Sequence, residues 1–131
     1  MGKRVAFLGL GVMGYPMAGW LSRNGYQVTV YNRTTAVAER WVTEYSGQHA
    51  LTPDTAVQNA EIVFLCLGND QDVEEVILTE QGILVDIKSG AIVVDHTTTS
   101  AMLAKRLAIA ASVKGCGFID APVSGGQQGA L

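Results

Sequence analysis

The sequence predicts an α/β fold in which a parallel β-sheet carries helices on both faces, a doubly wound three-layer arrangement. Short apolar runs alternate along the chain with stretches in which apolar residues recur at helical spacing, a pattern typical of such sheets. The first run, Val5 to Leu8, is continuous rather than alternating, which indicates a strand buried on both faces. It leads directly into three closely spaced glycines, Gly9, Gly11 and Gly14.

These glycines follow the spacing G-x-G-x-x-G. In this pattern the first glycine permits a tight bend, the second lets the backbone approach a diphosphate, and the third lets the next helix pack on the strand. The amides and the positive dipole end of that helix then face the phosphates. The alternative is an ordinary tight turn between a strand and a helix. The residues expected to bind a dinucleotide here are Gly9, Leu10, Gly11, Val12, Met13 and Gly14.

The remaining elements are expected in strict alternation, and right-handed crossovers then give the Rossmann strand order 3-2-1-4-5-6. Gly25 is placed to end the first helix as a left-handed cap, and Thr52-Pro53-Asp54 is typical of a helix start. Apolar runs predict five further strands at 27–31, 49–51, 61–67, 91–95 and 116–120. Helical spacing predicts helices at 13–24, 36–45, 53–59, 70–78 and 100–114.

Size and composition limit the class of protein. The 131 residues suit one domain, spanning positions 1–131. A net charge of −3 argues against a nucleic-acid partner, and no apolar run reaches the roughly 18 residues of a membrane span. The chain is 48% hydrophobic and only 16% charged, whereas about 25% charged residues are usual. So apolar a domain is expected to turn part of its surface to a second domain or a partner subunit.

Cysteine usage and the start of the chain predict a cytoplasmic location. Cys66 and Cys116 lack C-x-x-C spacing and are expected to be reduced core thiols. Met1 and Gly2 lead almost directly into the first strand, which leaves no room for a signal or transit peptide. No metal site is expected.

The segment Asn32-Arg33-Thr34 bears on the choice of nucleotide. NAD-binding versions of this fold place an acidic residue about 20 residues beyond the glycines, on the ribose 2′-hydroxyl. Asn32 stands there instead, and the guanidinium of Arg33 can pair with a 2′-phosphate. NADP is therefore predicted over NAD, with Asn32 and Thr34 assisting. One alternative is that Arg33 is a solvated loop residue while Thr34 or Thr35 caps the next helix. Another is that Arg33 stacks on the adenine without selecting the phosphate.

Two loops at the carboxyl edge of the sheet are further candidates, because ligands of open α/β sheets bind at that edge. One follows the strand at 61–67, and the helix after it carries Val73, which either reaches the adenine side or belongs to the core. The other, residues 96–100, is rich in hydroxyls that can bond a cofactor or cap a helix. His96 is expected to be structural.

Two motifs together resemble the N-terminal domain of the β-hydroxyacid dehydrogenase family, typified by 3-hydroxyisobutyrate dehydrogenase. The stretch 7–18, FLGLGVMGYPMA, resembles the cofactor signature of that family, and 120–126, DAPVSGG, resembles its substrate motif. The resemblance implies that Leu67 and Asn69 line the cofactor groove and that Thr98 contacts the nicotinamide ribose. It also implies that a substrate carboxylate is held at an anion site of one hydroxyl and two glycine amides, formed by Ser124, Gly125 and Gly126.

The family's catalytic lysine comes from a glycine-rich helix further along the chain, beyond Leu131. No catalytic residue is therefore expected within this sequence, since Lys88, Lys105 and Lys114 belong to other loops or helix surfaces. The resemblance implies the cofactor half of an NADP(H)-dependent oxidoreductase acting on a small β-hydroxyacid or the corresponding semialdehyde. It further implies truncation before a helical C-terminal domain, a homo-oligomer in the full-length form and no turnover by the isolated chain.

Two other functions are compatible with these residues. Imine reductases share the fold and the NADP preference but replace the lysine, and the replacement site is absent from this sequence. A domain that binds a dinucleotide without catalysis, as a sensor or an oligomerisation module, is the second. Assays of the full-length protein with a cyclic imine and a panel of hydroxyacids would separate the enzymes.

Overall fold

A computed structural model describes residues 2–79 and 82–123. They form one six-stranded parallel sheet with the order β3-β2-β1-β4-β5-β6, which confirms the predicted order. The strands are β1 (Arg4–Leu8), β2 (Gln27–Tyr31), β3 (Gln48–His49), β4 (Ile62–Leu65), β5 (Ile92–Asp95) and β6 (Gly117–Asp120). The helices are α1 (Gly14–Arg23), α2 (Thr35–Tyr45), α3 (Pro53–Val57), α4 (Asp70–Leu78), α5 (Ile83–Asp86) and α6 (Ala101–Val113).

Strand β1 lies at the point where the strand order reverses. It pairs with β2 on one side and β4 on the other, and its last residue, Leu8, is in register with both Tyr31 and Leu65. The chain leaves β1 for helix α1 on one face and leaves β4 for helix α4 on the other. The two connections therefore separate at the carboxyl edge and open a groove there, as expected at the switch point of a doubly wound sheet.

Each face of the sheet has its own apolar core. On one face α1 and α2 pack against Val5 and Phe7 of β1, and Trp41 of α2 is fully buried among them. On the other face α3, α4, α5 and α6 pack against Ala6 and Leu8. Strand β1 is therefore buried on both faces, as its continuous apolar run predicts.

In the half of the sheet formed by β4, β5 and β6, helices of the described part of the chain cover one face more completely than the other. The row of residues that shares a face with Phe7 continues through Phe64 into β5 and β6, where no described helix covers it. Ile92 is 39% exposed and Ile119 is 50% exposed on this face. In β4 itself, Val63 and Leu65 are fully buried, whereas Ile62 and Phe64 are only partly buried.

Several element ends differ from the sequence-based expectation. Strand β4 ends at Leu65 rather than at 67 because the amide of Leu67 donates to the side-chain oxygen of Thr97, at 2.8 Å, instead of continuing the ladder. Helix α5 has only four residues and was not predicted, since so short a segment shows no helical period. Gly25 has φ +93° and caps α1 as expected.

Candidate functional site

The turn between β1 and α1 needs two of its three glycines for the fold itself. Gly9 has φ +101°, and a side chain there would also collide with the carbonyl oxygen of Cys66. A side chain at Gly14 would collide with the carbonyl oxygen of Gly9, so this glycine permits the close packing of α1 on the turn. Gly11 differs from both, because no described atom lies within 4 Å of the position that a Cβ would occupy there. Its open side faces the groove.

The amides of this turn divide into two groups. Those of Gly9 and Leu10 donate to the Tyr31 carbonyl and the Asn32 side-chain oxygen, both at 2.9 Å. The amide of Tyr15 donates to the carbonyl of Gly11 at 3.0 Å. The four amides at 11–14 have no acceptor within the described part of the chain. Unpaired amides at a helix N-terminus, combined with its positive dipole end, form a site for an anion.

A groove of about 900 Å³ begins at this turn and runs along the carboxyl edge of the sheet. Its volume lies within the range of roughly 300–1,000 Å³ usual for ligand pockets. The turn, the end of β2, the end of β4 and one side of α4 form its walls. The sequence-predicted residues that line it are Gly9, Leu10, Gly11, Val12, Met13, Gly14, Asn32, Arg33, Thr34 and Leu67.

Asn32 holds the turn against the end of β2. Its side-chain oxygen accepts from the amide of Leu10 at 2.9 Å, and its amide nitrogen donates to the carbonyl of Thr34 at 3.1 Å. Both polar ends of this side chain are therefore engaged with backbone, which gives Asn32 a positioning role. Thr34 is the residue before α2 but makes no side-chain capping hydrogen bond.

Arg33 crosses the mouth of the groove from the end of β2 to α4. Its guanidinium donates to Asp72 Oδ1 at 3.0 Å and lies 3.5 Å from Glu75 Oε2, while the Arg33 side chain is 72% exposed. The hydrogen bond and charge of Asp72, followed by the charge of Glu75, raise the pKa of Arg33 further above its ordinary value. The guanidinium thus pairs with two carboxylates at the groove mouth, while most of the Arg33 side chain stays exposed to solvent.

Three predicted cofactor residues lie outside the lining of the groove. Asn69 caps α4, and its side-chain oxygen accepts from the amide of Asp72 at 2.9 Å. Thr98 is exposed on the loop after β5. Val73 is fully buried in the core, so its assignment to the cofactor was wrong and its alternative assignment to the core holds. The substrate candidates Ser124, Gly125 and Gly126 lie outside the described residues.

Helical periodicity explains why Val73 belongs to the core and does not contact the cofactor groove. The face of α4 that borders the groove carries residues three and four positions apart, whereas Val73 and Ile77 face the core. The groove residues that the sequence did not reveal on and after this helix are Asp72, Glu75, Val76 and Thr79. Their spacing, taken together with the position of the loop before α4, was the signal that could have identified them.

The loop after β5 is fixed by a buried carboxyl group. Asp95 is fully buried, and its Oδ1 accepts from the amide of Thr97 at 2.9 Å. Burial raises the pKa of Asp95, and the nearby charge of Asp120 acts in the same direction. His96 stacks on Phe64, and its Nδ1 lies 2.8 Å from the carbonyl oxygen of Ala121. These contacts agree with the structural role expected for His96.

The described residues contain no group of three or more histidine, cysteine or acidic side chains placed to hold a metal ion. Within the same residues, none of the helices has both the length and the apolar character needed to cross a membrane.

The glycine turn with open amides, the groove at the switch point and the strand order together define an NAD(P)-binding Rossmann domain. Residues 4–131 match the family model described as the NAD binding domain of 6-phosphogluconate dehydrogenase. The chain belongs to this family, and proteins named 3-hydroxyisobutyrate dehydrogenase or 3-hydroxyisobutyrate dehydrogenase-like are among those it is similar to.

Two curated relatives illustrate the likeness in sequence. An uncharacterized oxidoreductase of Shewanella frigidimarina (strain NCIMB 400) is 54% identical over 127 residues, which are 97% of this chain and 44% of the relative. The probable 3-hydroxyisobutyrate dehydrogenase-like 1, mitochondrial, of Arabidopsis thaliana is 40% identical over 128 residues, 97% of this chain and 38% of the relative. The chain therefore spans less than half the length of either protein.

Solved structures also resemble this chain over nearly all of its length, and the chain again covers less than half of each of them. A 3-hydroxyisobutyrate dehydrogenase of Mycobacterium tuberculosis with L-serine has a TM-score of 0.88 at 28% identity, covering 98% of this chain and 43% of that one. Psf3 in complex with NADP+ and 2-OPP has a TM-score of 0.89 at 29% identity, with coverages of 95% and 44%. An imine reductase from Pseudomonas sp. has a TM-score of 0.83 at 23% identity, covering 98% and 43%, a likeness in fold alone.

Proposed function

We propose that the chain is the cofactor-binding domain of an NADP(H)-dependent oxidoreductase acting on a small β-hydroxyacid or the corresponding semialdehyde. The observation that carries this proposal is the open side of the first turn, where a Cβ at Gly11 would meet no described atom within 4 Å. The fold does not require a glycine there, whereas a diphosphate resting on the amides at 11–14 does. The dehydrogenase names of the relatives support the reaction class.

The preference for NADP(H) rests on the end of β2. A carboxylate that would bind the ribose 2′-hydroxyl of NAD is absent from position 32, and Arg33 stands at the groove mouth within reach of a 2′-phosphate. The presence of NADP+ in the Psf3 complex supports the same choice. NAD(H) remains a usable coenzyme in this proposal, with the lower affinity.

The substrate side of the proposal concerns residues beyond the described groove. Thr98 contacts the nicotinamide ribose, Asn69 contacts the coenzyme from the start of α4, and the 124–126 segment, Ser124 with Gly125 and Gly126, holds a substrate carboxylate. When bound, the nicotinamide supplies the hydride acceptor or donor. The role of this chain is to hold the coenzyme and the carboxylate in position.

The proton transfer belongs to a part of the protein that this sequence does not contain. In the whole enzyme a lysine of a helical C-terminal domain acts as general acid–base on the substrate oxygen. Residues 1–131 form one domain, which binds coenzyme without measurable turnover. Turnover by this chain alone at the rate of a full-length dehydrogenase would contradict the proposal.

Two rival functions can be distinguished by assay. Full-length protein that reduces a cyclic imine but leaves hydroxyacids unchanged would be an imine reductase. Full-length protein that binds coenzyme and turns over neither substrate class would be a non-catalytic dinucleotide-binding or oligomerisation module. Oxidation of a small β-hydroxyacid is the result that our proposal predicts, in a homo-oligomer located in the cytoplasm.

Arg33→Ala tests the coenzyme preference. Loss of a charge-assisted pair to the 2′-phosphate should weaken NADPH binding roughly ten- to hundredfold and leave NADH binding nearly unchanged. Isothermal titration of both coenzymes measures the difference. Arg106→Ala is the matched control, because Arg106 is also an exposed arginine paired with an acid of α4, Glu74 at 3.6 Å, but lies outside the groove lining. Equal losses for both coenzymes would assign Arg33 to the adenine or to the fold.

A further inference from the structure

The charged groups at the groove mouth do not balance. Among the described lining residues, the charged side chains are Arg33 and the two acids of α4, Asp72 and Glu75. Both acids approach the same guanidinium nitrogen, at 3.0 and 3.5 Å. The site that would receive a doubly charged phosphate therefore carries a formal charge of −1.

Asp72 differs from Arg33 in freedom of movement, whereas Glu75 is 64% exposed and contributes its charge alone. The amide of Asp72 is tied to Asn69, and the Asp72 side chain is 26% exposed, so this carboxylate is held at the first turn of α4. The Arg33 side chain is 72% exposed at the end of a long flexible stem. When a phosphate arrives, the arginine can turn toward it, whereas the Asp72 carboxylate stays in place.

We propose that Asp72 and Glu75 are specificity-determining residues that lower the preference for the 2′-phosphorylated coenzyme. This inference rests on the proposed function, since it assigns the adenosine end of the coenzyme to this mouth. The acids compete with the 2′-phosphate for the guanidinium and repel the phosphate itself. A ribose carrying a 2′-hydroxyl experiences no such repulsion and can donate a hydrogen bond to a carboxylate.

The consequence is a reduced preference for NADP(H) over NAD(H). Arg33 alone would give a strong preference for NADP(H), and the two carboxylates reduce it, so that NAD(H) remains usable. Removing either negative charge while keeping the shape of the side chain should therefore sharpen the preference instead of weakening binding.

The test uses Asp72→Asn, Glu75→Gln and the double variant, titrated calorimetrically with 2′,5′-ADP and with 5′-AMP. These probes differ in the 2′-phosphate and share the adenosine. Each single variant should bind 2′,5′-ADP roughly three- to tenfold more tightly than the wild type, with 5′-AMP binding unchanged or slightly weaker. Glu74→Gln is the matched control, because Glu74 lies on the same helix and pairs with Arg106 outside the groove lining. It should leave both affinities unchanged.

The outcomes separate this proposal from the proposed function. If the wild type prefers 2′,5′-ADP and the variants bind it equally or more weakly, the acids hold Arg33 in place for the phosphate and the inference is wrong, while the function stands. If the wild type binds neither nucleotide nor either coenzyme, both proposals are wrong. Glu75→Gln keeps the test valid if Asp72→Asn lowers the thermal midpoint, because Glu75 is 64% exposed and lies beyond the first turn of α4.

Discussion

At the scale of single residues, the glycines of the first turn separate the requirements of folding from those of binding. Gly9 and Gly14 are explained by backbone conformation and close packing, without any ligand. Gly11 is not explained in that way, because its surroundings leave room for a side chain. A residue that the fold does not need, placed where a ligand must approach, is the strongest local sign of function in this chain.

Gly11→Ala should therefore separate binding from stability. We expect its free energy of unfolding to stay within about 0.5 kcal/mol of the wild type, as for other open positions, while coenzyme affinity falls at least tenfold. Gly9→Ala is the matched comparison, and its strained backbone should cost roughly 1–3 kcal/mol before the collision with Cys66 is added. Chemical denaturation and coenzyme titration measure the two effects. An unaltered affinity in Gly11→Ala would show that no ligand rests on this side of the turn.

For Arg33, the sequence predicted the position of the residue but not its ion-pair partners. Its place after β2 predicted a cation at the groove mouth. Its partners could not be predicted, because Asp72 lies 39 positions away in sequence and the two meet only through the sheet order. Val73 was misassigned for a related reason, since the rotation of α4 about its axis decides which valine borders the groove.

At the scale of elements, strong local sequence patterns were sufficient to predict where a strand or helix begins and ends, whereas ends that depend on distant contacts could not be predicted. Strand β2 and helix α4 have the bounds that their patterns predicted, Gln27–Tyr31 and Asp70–Leu78. The end of β4 was not predictable, because the amide of Leu67 donates to the hydroxyl of Thr97, which lies 30 positions away in sequence. The substrate motif at 124–126 could be predicted as a motif only, since it lies outside the described residues.

Asp95, at the end of β5, should give the fold a pH dependence. Burial raises the pKa of this carboxyl in the folded state, so the folded state holds the proton more tightly than the unfolded chain does. Its contribution to stability is therefore greatest in acid and declines as the pH rises through the folded-state pKa. Asp95→Asn keeps the acceptor for the Thr97 amide and removes the titration.

We expect Asp95→Asn to gain stability relative to the wild type as the pH is raised from about 4 to 8. Urea unfolding of both proteins at a series of pH values measures this difference. Asp120, His96 and Cys66 are the titratable groups that interact with Asp95, and all three are retained in the variant. A stability difference that is independent of pH would mean that Asp95 titrates alike in the folded and unfolded states.

At the scale of the whole molecule, the apolar composition corresponds to an uneven covering of the sheet. Helices cover both faces at β1, while on the Phe7 side of β5 and β6 no helix of the described part of the chain covers the apolar residues. Strand β6 is also the outermost strand of the described sheet. An exposed strand edge beside an apolar face favours pairing with another copy.

Residues 1–131 should therefore self-associate at high concentration. Sedimentation velocity over a range of about 0.01–1 mM should show a concentration-dependent increase in mass, because strand edges of this kind pair readily. Ile119→Lys, on β6, should reduce the association, since it places a charge on the exposed face. Ile109→Lys is the control, because Ile109 is 67% exposed on α6, which covers the other face. A monomer at every concentration would contradict this prediction.

The central claim is that the amides at 11–14 receive the diphosphate of a nicotinamide coenzyme. A titration of ¹⁵N-labelled protein with NADP+, followed in amide correlation spectra, tests it most directly, because each unpaired amide reports on its own acceptor. We expect the largest saturable shifts at Gly11, Val12, Met13 and Gly14, with smaller changes for the amides of Gly9 and Leu10, which already have partners. Saturable binding that left those four amides unchanged, or no binding at all, would contradict the account.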